Sequence, residues 1–153
     1  MPPEERLKSI LKECGLECKI RSFPESTKTS REAASLLGID VSEIAKSIVF
    51  DCGGNTVIAV ASGSNRVSGK KLGKLTGSKP RIMSPDEVLK ATGYPVGAVP
   101  PLGHGERTRI FIDSDLMTKR MVWAAAGTTH SVFGIDPEDL ARASRGEVAD
   151  IKE

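Results

Sequence analysis

Two side chains in this chain could bind the charged or ester groups of a ligand. Lys46 stands just before the apolar run Ile48–Phe50, where a fixed positive charge could bind a phosphate or a carboxylate. His130 follows Thr128 and Thr129 in a predicted turn, where it could contact a substrate or position a water molecule. A structural role stays open for both, because lysines often extend from strand ends and histidines often lie on turns.

A stretch rich in glycine and proline, 93–104 (GYPVGAVPPLGH), could bring backbone close to a ligand. It cannot be a helix, because proline lacks the N–H group and glycine is unfavourable in helices. Val99 and Leu102 are apolar and the prolines fix φ, so we predict a stiff loop that lies against the core. A purely structural crossover loop is equally consistent with this composition.

Residues 66–81 contain only basic charges, without any acidic residue. This block is either a solvated face or a contact with a phosphate backbone. It lacks the interleaved aromatic side chains that stack on bases. Its members are Arg66, Lys70, Lys71, Lys74, Lys79 and Arg81.

Several kinds of catalytic site are not indicated by the sequence. There is no GxSxG nucleophile motif and no phosphate-binding P-loop. Three cysteines, Cys14, Cys18 and Cys52, and two histidines do not have the spacing of a structural zinc site. We therefore predict no metal and no cofactor, and buried or half-buried thiols.

The chain has 153 residues, 39% hydrophobic and 27% charged, which fits one globular domain. A net charge of +2 argues against a protein that coats DNA. No apolar run is long enough to span a bilayer, so no membrane partner is expected. The N-terminal residues MPPEERLKSI lack the apolar region of a signal peptide, which predicts a cytoplasmic protein.

Helix-capping signals and alternating apolar residues predict the helices and short strands that would position Lys46 and His130. Thr29 and Glu32 form a capping box, Ser84 caps a second helix, and Gly53–Gly54–Asn55 predicts a hairpin. Helices are predicted over 3–14, 29–38, 85–93 and 137–144, a helical turn over 41–46, and a short helix or turn over both 68–75 and 113–120. Strands are predicted over 17–23, 48–50, 56–62, 107–113, 121–127 and 131–135.

This order predicts an α+β fold in a single domain. Because hairpins dominate, we expect a central mixed, mostly antiparallel sheet that curls toward a barrel and is flanked by helices. The domain divides into an N-terminal helix and strand (1–28), a core (29–145) and a polar tail (146–153).

Seven stretches occur together in a characteristic order. In that order and spacing the chain resembles the YbaK/prolyl-tRNA-synthetase-associated domain family from about Thr29 to the closing helix. The stretches are TSREAASLLG (29–38), IAKSIVF (44–50), KKL (70–72), GYPVGAVPPLGH (93–104), DSDL (113–116), VWAAAG (122–127) and VFGIDPEDL (132–140).

The resemblance implies a metal-independent aminoacyl-tRNA deacylase. Such proteins hydrolyse, in trans, the ester bond of a mischarged tRNA, typically one that carries alanine, cysteine or serine on a tRNA like that for proline. The implied partners are the aminoacyl-tRNA acceptor end and an aminoacyl-tRNA synthetase. A non-catalytic tRNA- or synthetase-binding module and a small-molecule-binding domain are the alternatives.

The resemblance also implies roles for individual residues. Lys46 would contact the terminal nucleotide, Gly97 would lie at the centre of the loop around the aminoacyl group, and His130 would be the polar residue of the last turn. Ala98 replaces the second of two adjacent glycines of the family's loop, and we expect its methyl group to narrow the pocket or change its specificity. Further implied substrate contacts are Gly93, Val99, Pro100, Gly103, Thr128 and Thr129, and we add Arg66, Lys70 and Lys71 as tRNA contacts.

Overall fold

Capping groups determine the helix boundaries in the computed structural model, which describes residues 1–153. The Thr29 hydroxyl accepts a hydrogen bond from the Glu32 N–H, and the Glu32 carboxylate accepts one from the Thr29 N–H, which confirms the capping box. Gly38 ends this helix with φ at 69°. The helices are α1 (Pro3–Glu13), α2 (Ser30–Leu37), α3 (Gly69–Thr76), α4 (Pro85–Thr92) and α5 (Pro137–Ser144), with 3-10 turns at Val41–Glu43 and Ser114–Thr118.

Eight strands form one mixed sheet, in the order β1-β7-β6-β2-β3-β5-β8, and β4 pairs with one end of β2. Four pairings are antiparallel and three are parallel, which confirms the predicted mixed, mostly antiparallel α+β sheet. β1 and β8 are its two edges, so the sheet does not close into a barrel. The strands are β1 (Ile20–Ser22), β2 (Ile44–Cys52), β3 (Asn55–Ser62), β4 (Pro80–Ile82), β5 (Arg109–Asp113), β6 (Val122–Ala125), β7 (Ser131–Ile135) and β8 (Glu147–Ala149).

The start of β2, the first strand of the β2–β3 hairpin, differs from the prediction. The helical turn predicted over 41–46 ends at Glu43, and β2 begins at Ile44. Ala45 and Lys46 pair with β3, and Ile44 and Ala45 pair with β6, so strand pairing on both sides overrides the local helical pattern. Lys46 therefore lies within a strand and not just before one.

Two strands were not predicted. β4 and β8 are three residues each and mostly exposed, so neither is long enough to show a pattern of alternating apolar residues. The C-terminal segment nevertheless packs on the sheet, because β8 pairs with β5 and Ile151 is fully buried.

The glycine–proline stretch 93–104 packs as the sequence predicts. Tyr94, Val99 and Leu102 belong to the largest hydrophobic cluster of 19 residues, together with residues of the sheet. The cysteines are free, Cys14 and Cys18 half-buried and Cys52 buried, as predicted. None of the helices combines the length and the apolar character needed to cross a membrane.

Candidate active site at a gap in the sheet

A cavity opens where β2 and β6 separate. β6 pairs with β2 only at Ile44 and Ala45, and β4 pairs with the same edge of β2 only from Phe50 to Cys52. Between these two stretches the edge of β2 has no strand partner. The cavity has a volume of about 370 Å³ and is bordered there by Lys46, Ser47 and Ile48, among other residues.

The hydrogen bonds at each end of this gap show which peptide groups face it. The Gly63 N–H donates to the Ile44 carbonyl on the β3 side, at 2.8 Å, whereas the Met83 N–H donates to the Val49 carbonyl on the opposite side, at 3.0 Å. Peptide groups of an antiparallel strand alternate between its two edges. Ser47 therefore presents its N–H and C=O to the cavity.

Apart from Gly63 and Val132, the remaining walls come from three separate parts of the chain. They are the start of α2 with the residues before it, the glycine–proline loop, and the end of β6. None of the lining residues carries a carboxylate, and Lys28 and Lys46 contribute positive charge. The lining consists of Thr27–Ser30, Ala33, Ile44–Ile48, Gly63, Val96, Gly97, Val99, Trp123–Ala125 and Val132.

Gly97 joins the loop to the segment before α2. It has a φ of 87°, and a Cβ placed on it would lie 2.5 Å from Lys28 Cγ and 3.0 Å from the Lys28 carbonyl oxygen. Only glycine fits both the left-handed backbone and this close approach. Neither the Gly97 N–H nor the Val99 N–H donates a hydrogen bond within the protein.

Lys46 is half-buried and makes no ion pair. Burial lowers the pKa of its ammonium group below the usual lysine value, and the positive charge of Arg66 lowers it further, while Asp113 acts in the opposite direction. An unpaired, partly desolvated ammonium group is a good partner for an anionic ligand because it has no competing carboxylate.

A buried carboxylate holds the loop that carries Arg66. Asp113 is 1% exposed and accepts hydrogen bonds from the Ser62 N–H (3.0 Å), Asn65 Nδ2 (2.8 Å) and the Asp115 N–H (2.9 Å). Residue 65 directly precedes Arg66. The network therefore fixes the position of Arg66 relative to β3 and Lys46.

The turn with His130 lies behind the cavity wall and not on its surface. His130 is exposed, and its Nδ1 is 2.9 Å from the Glu25 carbonyl oxygen. The Thr129 carbonyl accepts a hydrogen bond from the Thr27 N–H at 2.7 Å, and the Thr128 hydroxyl is 2.6 Å from that of Ser131. The turn thus braces the segment that ends in Thr27.

Of the predicted contacts in the glycine–proline loop, Gly97 and Val99 line the cavity. Gly93 ends α4 with φ at 81°, Pro100 is buried, and Gly103 lies against Ile10 on another side of the loop. Ala98 is fully buried and is not among the residues that line the cavity. Its side chain packs into the core.

The basic block divides into paired and unpaired side chains. Lys71 makes an ion pair with Asp150 at 2.8 Å, and Arg81 binds both Glu87 and Asp51. The unpaired members, Arg66, Lys70, Lys74 and Lys79, are all exposed. Part of the block thus stabilises the fold, and part is available to a ligand.

Two cavity residues have no distinguishing signal in the sequence. The hydroxyl oxygens of Thr27 and Ser47 are buried and have no hydrogen-bond partner. A threonine before a helix and a serine in a strand are too common to be singled out from composition. No group of three or more His, Cys, Asp or Glu side chains is placed to hold a metal ion.

Comparison with known proteins gives a consistent result. Residues 24–143 match the family described as the aminoacyl-tRNA editing domain. The chain is 34% identical to the uncharacterized protein YwhH of Bacillus subtilis over 133 residues, which cover 86% of this chain and 85% of that protein. It is 30% identical over 118 residues to the proline–tRNA ligase of Bacillus licheniformis, covering 76% of this chain but only 20% of the ligase.

The fold matches solved structures over its full length. A crystal structure of a candidate trans-editing enzyme for prolyl-tRNA synthetase superposes with a TM-score of 0.93 and 36% identity, covering 100% of this chain and 98% of that one. The crystal structure of hypothetical protein APE2540 superposes with a TM-score of 0.91 and 30% identity, covering 97% and 99%. The chain therefore belongs to the aminoacyl-tRNA editing domain family.

Proposed function

We propose that this protein hydrolyses, in trans, the ester bond of a mischarged aminoacyl-tRNA that carries a small noncognate amino acid such as alanine, cysteine or serine. The tRNA would be one like that for proline, given the likeness to part of a proline–tRNA ligase. The observation that carries this proposal is the cavity, in which the unpaired Lys46 and the loop at Gly97 border the same space.

Hydrolysis of an aminoacyl ester requires the protein mainly to position the ester and to stabilise the oxyanion. An aminoacyl ester is already activated, and the neighbouring ribose hydroxyl can orient a water molecule. The water oxygen adds to the ester carbonyl carbon, the bond to the ribose oxygen breaks, and that oxygen takes a proton, so that free amino acid and uncharged tRNA are released. The N–H groups of Gly97 and Val99 would stabilise the developing oxyanion.

Positive charge would hold the acceptor end of the tRNA. Lys46 pairs with Ala61 of β3, and Arg66 lies in the loop after β3 that Asp113 holds through Asn65, so both could contact the same terminal nucleotide. Lys70 is exposed and would extend this contact, whereas Lys71 would have to leave Asp150 to take part.

His130 would affect the cavity indirectly, by holding the segment that forms one of its walls. Because its ring bonds the Glu25 carbonyl, it holds the segment that carries Thr27 and Lys28. Substitution of His130 by alanine is then expected to loosen the wall and weaken substrate binding more than it slows hydrolysis of bound substrate. Single-turnover kinetics at saturating enzyme would separate the two effects.

The direct test measures release of amino acid from labelled Ala-, Cys-, Ser- and Pro-tRNA at catalytic protein concentration. We expect rapid release of at least one noncognate amino acid, and loss of that release in Lys46→Ala. The matched control is Lys90→Ala, which removes an exposed lysine from α4, away from the cavity. Full activity of Lys46→Ala would remove Lys46 from the site.

The second candidate function is a non-catalytic module that binds the tRNA acceptor end or a synthetase. It is favoured by one observation, namely that no histidine, cysteine or carboxylate lines the cavity. Retained binding of all four aminoacyl-tRNAs without any release would select this alternative. Release by the wild-type chain that depends on Lys46 would exclude it.

A further inference from the structure

Two residues that line the cavity have buried hydroxyl groups without the partners that such groups normally have. The hydroxyl oxygens of Thr27 and Ser47 make no hydrogen bond within the protein, and Thr27 is 6% exposed. Most buried polar side-chain atoms in folded proteins are hydrogen-bonded, because an unsatisfied hydroxyl is destabilising. These two are the only buried side-chain nitrogen or oxygen atoms without a partner, and both residues line the same cavity.

The two hydroxyls lie on the glycine-loop side of the cavity. Along β2, Ala45 and Val49 belong to the same hydrophobic cluster as Val99 of the loop. Ser47 shares their face of the strand, because side chains alternate, whereas Lys46 projects from the opposite face. Thr27 directly precedes Lys28, which packs against Gly97. The hydroxyls are therefore placed for the aminoacyl group, and Lys46 for the nucleotide.

The chemistry of a hydroxyl pair limits what would bind there. Each hydroxyl can donate one hydrogen bond and accept others. A methyl side chain would leave both unsatisfied, and an ammonium group, which cannot accept, would leave both hydroxyl protons without an acceptor. A ligand hydroxyl can accept from one and donate to the other.

We propose that Thr27 and Ser47 form a side-chain subsite that selects a seryl group over an alanyl group. This specificity rests on the proposed deacylase function. The two amino acids differ by one hydroxyl, and a site built to hydrogen-bond a substrate hydroxyl rejects the analogue that lacks it. We expect kcat/KM for Ser-tRNA to exceed that for Ala-tRNA by roughly 10- to 100-fold, with the same tRNA in both substrates.

The test compares these two substrates across four proteins. In Thr27→Val and Ser47→Ala, the Ser/Ala ratio of kcat/KM should fall at least about fivefold. Thr76→Val is the control, since the Thr76 hydroxyl bonds the Leu72 carbonyl in α3 and lies outside the cavity. That variant should keep the wild-type ratio, even if its stability falls.

A binding measurement separates specificity from catalysis. Stable amide analogues, 3′-seryl- and 3′-alanylamino-3′-deoxyadenosine, can be titrated into each protein. The wild-type chain should bind the seryl analogue more tightly, and both variants should lose that difference. Equal hydrolysis of the two aminoacyl-tRNAs, or a preference for Ala-tRNA, would overturn the proposed subsite and leave the deacylase function intact. Absence of all hydrolysis, with equal binding of the two analogues, would overturn the proposed subsite and the deacylase function together.

Discussion

Gly97 and Lys28 are in contact through backbone and side-chain stem, although 69 positions separate them in sequence. The Cα of Lys28 would be 3.3 Å from a Cβ on Gly97, and Lys28 Cγ only 2.5 Å away. This contact closes one wall of the cavity by joining the glycine–proline loop to the residues before α2. The shape of the cavity thus depends on the absence of a side chain at a single position.

Substitution of Gly97 by alanine is expected to destabilise the fold and to open or distort the cavity. The residue would have to keep a φ of 87° and displace Lys28, so we expect a loss of about 2–4 kcal/mol. Gly54→Ala is the matched control, because Gly54 has a φ of 88° and no atom near its Cβ position. Urea unfolding of both variants separates the cost of the positive φ, which both share, from the cost of displacing Lys28, which only Gly97→Ala has. Equal losses would show that the contact with Lys28 is unimportant.

Lys46→Met should abolish activity without lowering the stability of the fold. The folded chain binds the Lys46 proton less tightly than the unfolded chain, since burial lowers the pKa from 10.5. The charged lysine is therefore unfavourable to folding at neutral pH, and this effect disappears as the pH rises toward 10.5. The melting temperature of the variant should equal or exceed that of the wild-type chain at pH 7, with a smaller difference at pH 10. A lower melting temperature at pH 7 would contradict this account.

Glu87→Gln should weaken the fold in a pH-dependent manner. Hydrogen bonds from Arg81, and from the Ser84 N–H, lower the pKa of Glu87 to about 2. A lowered carboxyl pKa contributes stability that is fully present above the unfolded value near 4.5 and is lost as the pH falls toward 2.

The melting temperatures of wild type and Glu87→Gln should therefore differ most at pH 7 and converge by about pH 2, as thermal scans across this range can show. Because Glu87 and Arg81 are partly exposed, added salt should also reduce the difference. A difference that stays constant between pH 7 and pH 2 would mean that the charge of Glu87 does not stabilise the fold.

Asp113→Asn is expected to lower stability by about 2–3 kcal/mol and to weaken tRNA binding. In either orientation the N–H₂ group of the new amide would face a donor that now binds the carboxylate: the Ser62 N–H and Asn65 Nδ2 at one oxygen, or the Asp115 N–H at the other. Loss of these bonds should release the loop that carries Arg66. Asp40→Asn, which changes an exposed cap, is the control for unfolding and tRNA binding. Normal tRNA binding by a destabilised Asp113→Asn would show that the loop needs no such support.

Ile151→Ala should destabilise the fold by about 2–4 kcal/mol, although the residue is third from the last in the sequence. Its side chain is fully buried in a cluster with Phe111 and Leu72. Val148→Ala is the control, because Val148 is 41% exposed and lies in β8. Thermal unfolding compares the two, and a similar small effect of both would show that the terminal segment packs loosely.

The sequence by itself determines the features that depend on neighbouring residues. Capping boxes at Thr29 and Ser84, the glycine that ends α2 and the Gly53–Gly54 turn are local in origin, so their helices and hairpin were predicted correctly. The family and the glycine–proline loop could also be predicted from the sequence, because their residues occur in a fixed order along the chain.

Tertiary structure decided what depends on contacts between distant segments. Lys46 lies in a strand because β3 and β6 pair with it from both sides, and the cavity exists because β4 and β6 leave part of β2 unpaired. Short β4 and β8 are strands only because a longer neighbour supplies hydrogen bonds. The buried hydroxyls of Thr27 and Ser47 carry no signal in sequence for the same reason: their lack of partners depends on everything that surrounds them.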